Sequence, residues 1–332
     1  MKTFIKRVLF CSLPICFVII CTIVVDPYYL LFKGREFNQT KFDIGYSYDQ
    51  GHRYKLFTFL NSPKPNIILG ASEINPIHER NIPEDGWHSL SFGGAKLEES
   101  IDLFWKISKE NQLKKVIFAP EFIKFYNAII DEDILRYSWE STQSSMSFDI
   151  FDDKCKYIVD EYTIKTSFYF ILDKLGVTST RNKPQTSKDL FWKTQLDYAK
   201  VQYSKPVREE KKVQIYSQFK DIADYCNSHN ILVQIVLPIQ HVDLISLEYA
   251  DDIYPLYRDY LNHLIAYFGA IYYFDYPNEY SSNDNLFSDP FHYVSSDIYL
   301  NNIWETKDSG LMILTDEESL NKLDHIRQNY LN

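Results

Sequence analysis

Two short stretches of the chain carry the residue types from which a nucleophilic site can be assembled. Ser72 stands two residues after Gly70, at the end of the apolar run Asn66-Ile67-Ile68-Leu69. A strand that stops at a glycine can turn sharply there and leave a hydroxyl standing above the sheet. Far along the chain, Ser288-Asp289-Pro290-Phe291-His292-Tyr293 follows a polar loop. An Asp three residues before a His, at the entry of a helix holding Ile298, Tyr299 and Ile303, can fix the imidazole tautomer while the other ring nitrogen faces a hydroxyl. Ser72, His292 and Asp289 would then be nucleophile, base and orienting carboxylate for acyl transfer.

Each half is weak by itself. A Ser after a Gly is a common turn residue or helix cap, and an Asp-Pro-Phe-His can simply cap a helix over a satisfied His. The Gly-x-Ser-x-Gly elbow is absent, with Ile74 at its second glycine, which argues against the α/β-hydrolases. His78, His88 and His241 lie apart without ligand spacing, and neither Cys-x-x-Cys nor His-Glu-x-x-His occurs, so no metal is expected. Gly93-Gly94 lacks the phosphate-cradling pattern of nucleotide sites, and no cofactor is expected. Aromatic residues make up 16% of the chain, enough for some to stack on sugar rings, though most are expected in the core or on amphipathic surface.

The elements that must hold Ser72 and His292 follow from hydrophobic spacing. Leu97, Ile101, Phe104 and Ile107 fall at helical intervals and lead into Lys115-Val116-Ile117-Phe118. Val213, Tyr216, Phe219 and Ala223 lead into the apolar run from Ile231 to Leu237. Leu256, Tyr260, Leu264 and Phe268 form a third stripe that Gly269 ends before Ile271-Tyr272-Tyr273-Phe274. Short buried strands alternating with helices imply an α/β sandwich around a parallel sheet, with ligands at the carboxyl ends of the strands. The pattern lapses between about 126 and 210, read as an insertion beside the site, and residues 311–332 are expected to form a C-terminal helix.

The N-terminus has a different character. Lys2, Lys6 and Arg7 precede an uncharged run from Val8 to Val25, and residues 22–25 lack the small side chains of a signal-peptide cleavage site. An uncleaved transmembrane anchor over 1–25 is expected, its N-terminus held in the cytoplasm and the rest exported. Residues 26–65 would be a stalk and the main domain would begin at 66. With 45 acidic against 35 basic residues and a net charge of −10, nucleic acid is not an expected partner. Cys155 and Cys226, the cysteines beyond the apolar run, either pair or remain two buried thiols.

Three stretches in order, Ile67-Ile68-Leu69-Gly70-Ala71-Ser72-Glu73, Ser91-Phe92-Gly93-Gly94 and Asp289-Pro290-Phe291-His292, resemble the SGNH/GDSL hydrolase superfamily. The likeness spans roughly residues 60 to 305 and is nearest the membrane-anchored members that modify cell-surface polysaccharides and teichoic acids. It implies a three-layer sandwich and a bacterial envelope glycan as substrate. It also implies esterase or O-acyltransferase chemistry by Ser72, Asp289 and His292, with a multi-pass membrane acyltransferase as a partner. Backbone N–H groups of Ser72 and of Gly93 or Gly94 would form the oxyanion hole. The chain departs from the pattern after the third strand, where Ala119-Pro120-Glu121 replaces the Gly-x-Asn-Asp block; Asn127 either supplies the missing side-chain donor or caps a turn. The same departure, with Glu73, leaves open a non-catalytic glycan-binding or assembly factor.

Overall fold

The computed structural model describes residues 2–27, 31, 55–56, 59–60, 62–77, 81–130, 158–159, 161–177, 187–304 and 311–331, with side chains of the first helix described from residue 12. In chain order its elements begin with α1 (Lys2–Val25), β1 (Asn66–Leu69), a 3₁₀ turn (Ser72–Ile74), β2 (Trp87–Ser89), α2 (Leu97–Glu110), β3 (Lys115–Phe118), α3 (Phe122–Ile130) and α4 (Glu161–Lys174). They continue with α5 (Lys188–Tyr203), α6 (Glu209–Ser228), β4 (Leu232–Leu237), α7 (Val242–Glu248), α8 (Tyr254–Phe268) and β5 (Ile271–Tyr273). The chain closes with β6 (Phe287–Asp289), β7 (His292–Tyr293), α9 (Asp297–Ile303), β8 (Met312–Leu314) and α10 (Glu317–Leu331).

The chain divides into two units. One comprises residues 1–63 and 143–185, and in it α1 packs beside α4. The face of α4 that is buried there consists of Thr163, Thr166 and Ser167, while α1 turns Leu13, Phe17, Ile20 and Val24 outward. Among the described residues no helix is long and apolar enough to cross a membrane. The run read from the sequence as an anchor starts at Val8, ahead of the first described side chain. Most of the expected stalk, the Ser-rich part of the expected insertion and Cys155 lie outside the described residues. Cys226 is a buried free thiol whose pKa burial pushes up to about 12.

The other unit, residues 64–142 and 186–332, is an α/β domain on a six-stranded sheet ordered β2-β1-β3-β4-β5-β8. The first five strands are parallel. β8 runs antiparallel to β5, so the sheet is mixed rather than wholly parallel, and the segment after 310 contributes an edge strand before its helix. An edge strand needs no crossover helix and can enter in either direction, which is why no helix–strand repeat announced it.

Burial explains these elements. All four residues of β1 are buried, as a strand with a neighbour on each side and a layer on each face must be. Ile68, Ile117, Val236 and Phe274 point into one cluster with Ile74, Phe287, Tyr293 and Tyr299, beneath the turn and the C-terminal hairpin. On the opposite face Phe118 meets Phe219 of α6 edge-on. Fully burying one such aliphatic or aromatic side chain contributes about 1.5–3 kcal/mol. The expected stripe of α2 is buried throughout. On α6 Tyr216, Phe219 and Ala223 of the expected stripe are buried together with Ile215, Ile222 and Cys226, and only Val213, in its second turn, is exposed. On α8 the buried face is Tyr257, Tyr260, Leu261 and Leu264, with Leu256 and Phe268 at its margin. Gly269 ends α8 at φ 83°, where the sequence places it.

β1 is flanked by β2 on one side and β3 on the other, so the chain leaves β1 and β3 in opposite directions and opens a crevice at their carboxyl ends. Gly70 makes the close approach possible. At φ +155°, a Cβ there would lie 3.0 Å from Ala119 Cβ and 3.1 Å from the Ala119 carbonyl, just past β3.

Candidate active site

Ser72 opens the 3₁₀ turn at the mouth of that crevice. The turn is braced from β2, since Ser91 donates to Asn75 at 2.7 Å and pairs with Ser89 at 2.8 Å. Asp289 and His292 arrive from the far end of the chain on the β6–β7 hairpin, where they form a cross-strand pair about the turn Pro290-Phe291. This differs from the helix entry expected from sequence: α9 begins only at 297. The spacing of three serves a two-residue hairpin loop equally well, because the residues flanking such a loop stand opposite each other. The Phe291 N–H donates to Asp289 Oδ1 at 3.0 Å and fixes the carboxylate.

The three side chains meet. His292 Nδ1 lies 2.8 and 2.7 Å from the two oxygens of Asp289, and His292 Nε2 lies 2.7 Å from Ser72 Oγ. Asp289 is 3% exposed, so its attraction for the ring is little screened. Burial alone would lower the His292 pKa, yet the hydrogen bond that the ring donates to Asp289 and the charges of Glu73 and Asp289 outweigh it and raise it. Asp289 moves the other way: burial raises it, but the His292 contact and the Phe291 N–H hold it below the usual carboxylate range. A donor Nδ1–H facing Asp289 leaves Nε2 free to accept the Ser72 proton, as a general base must.

The site opens on a cavity of about 880 Å³, a volume that admits a small ligand or the end of a glycan. Gly94, at φ 72°, lines it with Ser72 and His292; Gly93, half-buried, is not among the lining residues. Asn127 is in the wall too. Its Nδ2 donates to Tyr198 Oη at 3.0 Å, which ties α3 to α5 and commits one amide donor away from Ser72. The remaining wall is mixed, with Gln195, Gln202, Lys205 and Arg208 beside apolar Ile123, Ile130 and Phe291.

Glu73, noted from sequence only as an odd neighbour of Ser72, and two residues given no role there, Glu121 and Lys124, complete the surroundings of Ser72. Glu73, 2% exposed, brings Oε2 to 3.2 Å from Ser72 Oγ and Oε1 to 3.4 Å from Lys124 Nζ. Glu121, also 2% exposed, accepts from the Ala71 N–H at 3.4 Å. Burial and the charge of Glu73 push the Glu121 carboxyl up to about 8, against the pull of Lys124. Lys124 stays charged because Glu73 and Glu121 outweigh its burial. Tyr260 donates to the Pro120 carbonyl and holds this segment beneath the site. The available signal was position: Glu121 and Lys124 follow β3 as Ser72 and Glu73 follow β1, at the two strands between which the sheet order reverses.

His241 has a structural task elsewhere. Its Nδ1 accepts the Asp243 N–H as the cap of α7, its Nε2 meets Asp284 at 3.0 Å, and Trp192 packs against its ring. Among the described residues no group of His, Cys, Asp or Glu side chains could hold a metal ion. A scan of family models finds no match to the chain, and a search of curated proteins finds none either.

Proposed function

We propose that the protein is a serine esterase or O-acyltransferase of the SGNH type, acting on an acylated cell-envelope glycan. The observation that carries this reading is the unbroken chain from Asp289 through His292 to Ser72 Oγ, at hydrogen-bond distances and open to a cavity. His292 Nε2 takes the proton of Ser72 as Oγ bonds to the ester carbonyl carbon, and the carbonyl electrons move onto oxygen. Backbone N–H groups of Ser72 and of Gly94, both lining the cavity, are the donors this reading assigns to that oxyanion. Collapse expels the alcohol, which takes the proton from Nε2, and leaves an acyl-serine. Water or a sugar hydroxyl then repeats the sequence and carries the acyl group away. Asp289 holds Nδ1–H throughout and stabilises the imidazolium between the steps. The side chains of Gln195, Gln202 and Tyr198, in the cavity wall, suit a hydroxyl-rich acceptor.

The sheet order, with both faces covered, supports a three-layer sandwich of the flavodoxin-like kind. The uncharged run after Lys2, Lys6 and Arg7, and the apolar side chains that α1 turns outward, support a single-pass anchor in a bacterial cytoplasmic membrane with the catalytic domain exported. A multi-pass membrane acyltransferase fits as the partner supplying the acyl group.

A fluorophosphonate probe, which reacts with activated serines, tests the reading. Wild type is expected to be labelled and Ser72→Ala to be blank; an unlabelled, folded wild type overturns catalysis. Two observations favour a second reading, a glycan-binding or assembly factor: the Asn127 amide is engaged by Tyr198, and a carboxylate instead of an amide donor adjoins Ser72. On that reading Ser72→Ala leaves envelope assembly in cells unchanged.

A further inference from the structure

Ser72 Oγ has one proton and two acceptors in reach, His292 Nε2 at 2.7 Å and Glu73 Oε2 at 3.2 Å. With a neutral imidazole the proton goes to Nε2, and Glu73 turns bare lone pairs toward Oγ. With a charged imidazole, Nε2–H donates to Oγ and the Ser72 proton goes to Glu73, an arrangement in which the serine cannot attack. A buried carboxylate beside the reacting oxygen also opposes the negative charge of a tetrahedral adduct. Glu73 is therefore a liability unless its charge is met.

Lys124 meets it. Its Nζ lies 3.4 Å from Glu73 Oε1, its side chain is 19% exposed, and it lines the cavity with Ser72 and His292. It stands on the segment after β3 where the superfamily resemblance leads one to expect a side-chain oxyanion donor. We infer that Glu73 and Lys124 are paired positioning residues: Glu73 holds the resting Ser72 hydroxyl, and Lys124 neutralises Glu73 so that the proton can pass to His292 and the oxyanion can form. This rests on the Ser72 reading above. Besides these two, the charged groups at the site are Asp289, against the His292 ring, and Glu121, behind Glu73. Lys96, Glu98, Lys205 and Arg208 line other parts of the cavity.

The pair predicts opposite signs for its two members. In the purified full chain in detergent, the His292 ring pKa is followed by NMR with labelled histidine, its signal assigned by loss in His292→Gln. Glu73→Gln should lower that pKa and Lys124→Met should raise it, each by about one unit, as expected for a neighbouring charge removed. Lys124→Arg should resemble wild type. On a neutral nitrophenyl ester, Lys124→Met should lose about 10²-fold in kcat with little change in KM, the scale of one lost electrostatic contact to an oxyanion. The double variant Glu73→Gln/Lys124→Met should recover at least about tenfold of that loss, because the charge that Lys124 offset is gone.

A merely structural pair would give additive losses and an unmoved His292. If Lys124→Met does not fold, Glu73→Gln and Lys124→Arg still decide the matter through the NMR titration. An unmoved His292 pKa in Glu73→Gln, or a folded double variant as impaired as Lys124→Met, overturns the pairing while probe labelling of wild type stands. An unlabelled wild type overturns the catalytic role of Ser72, and the pair's with it.

Discussion

Two pairs of carboxyl groups are buried in this domain, and they are managed in different ways. Glu73 and Glu121 sit beside the cavity, Glu73 with the Lys124 ammonium as its counter-charge and Glu121 behind it, its carboxyl pushed up to about 8. Glu248 and Asp275, 0% and 2% exposed, lie at the ends of α7 and β5 and accept hydrogen bonds from tyrosines. Tyr203 donates to Glu248 Oε1 at 2.7 Å, Tyr257 donates to Asp275 Oδ2 at 2.8 Å, and Tyr257 pairs with Tyr273 at 2.9 Å. Burial pushes Asp275 up to about 7, and burial with the Asp275 charge pushes Glu248 well up. Hydroxyls cannot neutralise a carboxylate, so protons must. A cation preserves charge next to the reacting atoms; protons make an uncharged strut that holds α5, through its last residue Tyr203, against the core.

The largest expected difference between the pairs is in chemistry. Ser72→Ala should cut ester turnover by about 10³-fold or more with an unchanged melting temperature, while Glu248→Gln should leave turnover within about twofold. Comparable losses from both, measured on folded proteins, would dissolve the distinction. Next comes stability: Tyr203→Phe removes a donor to a buried carboxyl and should cost about 1–3 kcal/mol in chemical denaturation.

The smallest and most diagnostic effect is the pH dependence. Asp275 and Glu121 have folded pKa values above those of the unfolded chain, so the folded state binds more protons, and stability falls as pH rises from about 4 through their folded values of about 7 and about 8. Asp289, lowered, acts oppositely and only in acid. Melting temperatures taken from pH 5 to 9 should decline, and Asp275→Asn should flatten the decline. A profile rising toward pH 9 would contradict proton-based neutralisation.

What the sequence made legible were features with local periodicity or punctuation. The strands around Ile67, Val116 and Ile235, the buried stripe of α2 and the stop at Gly269 each rest on short-range patterns, and the structure bears each out. The meeting of Ser72, Asp289 and His292 was foreseen from motif order, but the hairpin that presents Asp289 and His292 was not, since a spacing of three suits a helix entry and a two-residue turn alike. Glu73 was visible only as an odd neighbour of Ser72. Its partner Lys124 depends on strand order, which no periodicity encodes. On α6 and α8 the middle of each expected stripe is buried, Tyr216, Phe219 and Ala223 on one and Tyr260 and Leu264 on the other, while Val213 is exposed and Leu256 and Phe268 are half-buried near the helix ends. β8 was missed because three residues at an edge carry no repeat.

The Ser72–His292 contact closes a loop of 220 residues. Contacts of such separation come late in folding, since the intervening chain must be ordered before they repay its loop entropy. Helices and the β1–β3 ladder can be in place while the nucleophile still lacks its base. In refolding from denaturant, the return of probe labelling at Ser72 should therefore lag behind far-ultraviolet circular dichroism. A chain whose C-terminal hairpin has yet to dock would hold Ser72 without its base, and labelling would return only with that docking.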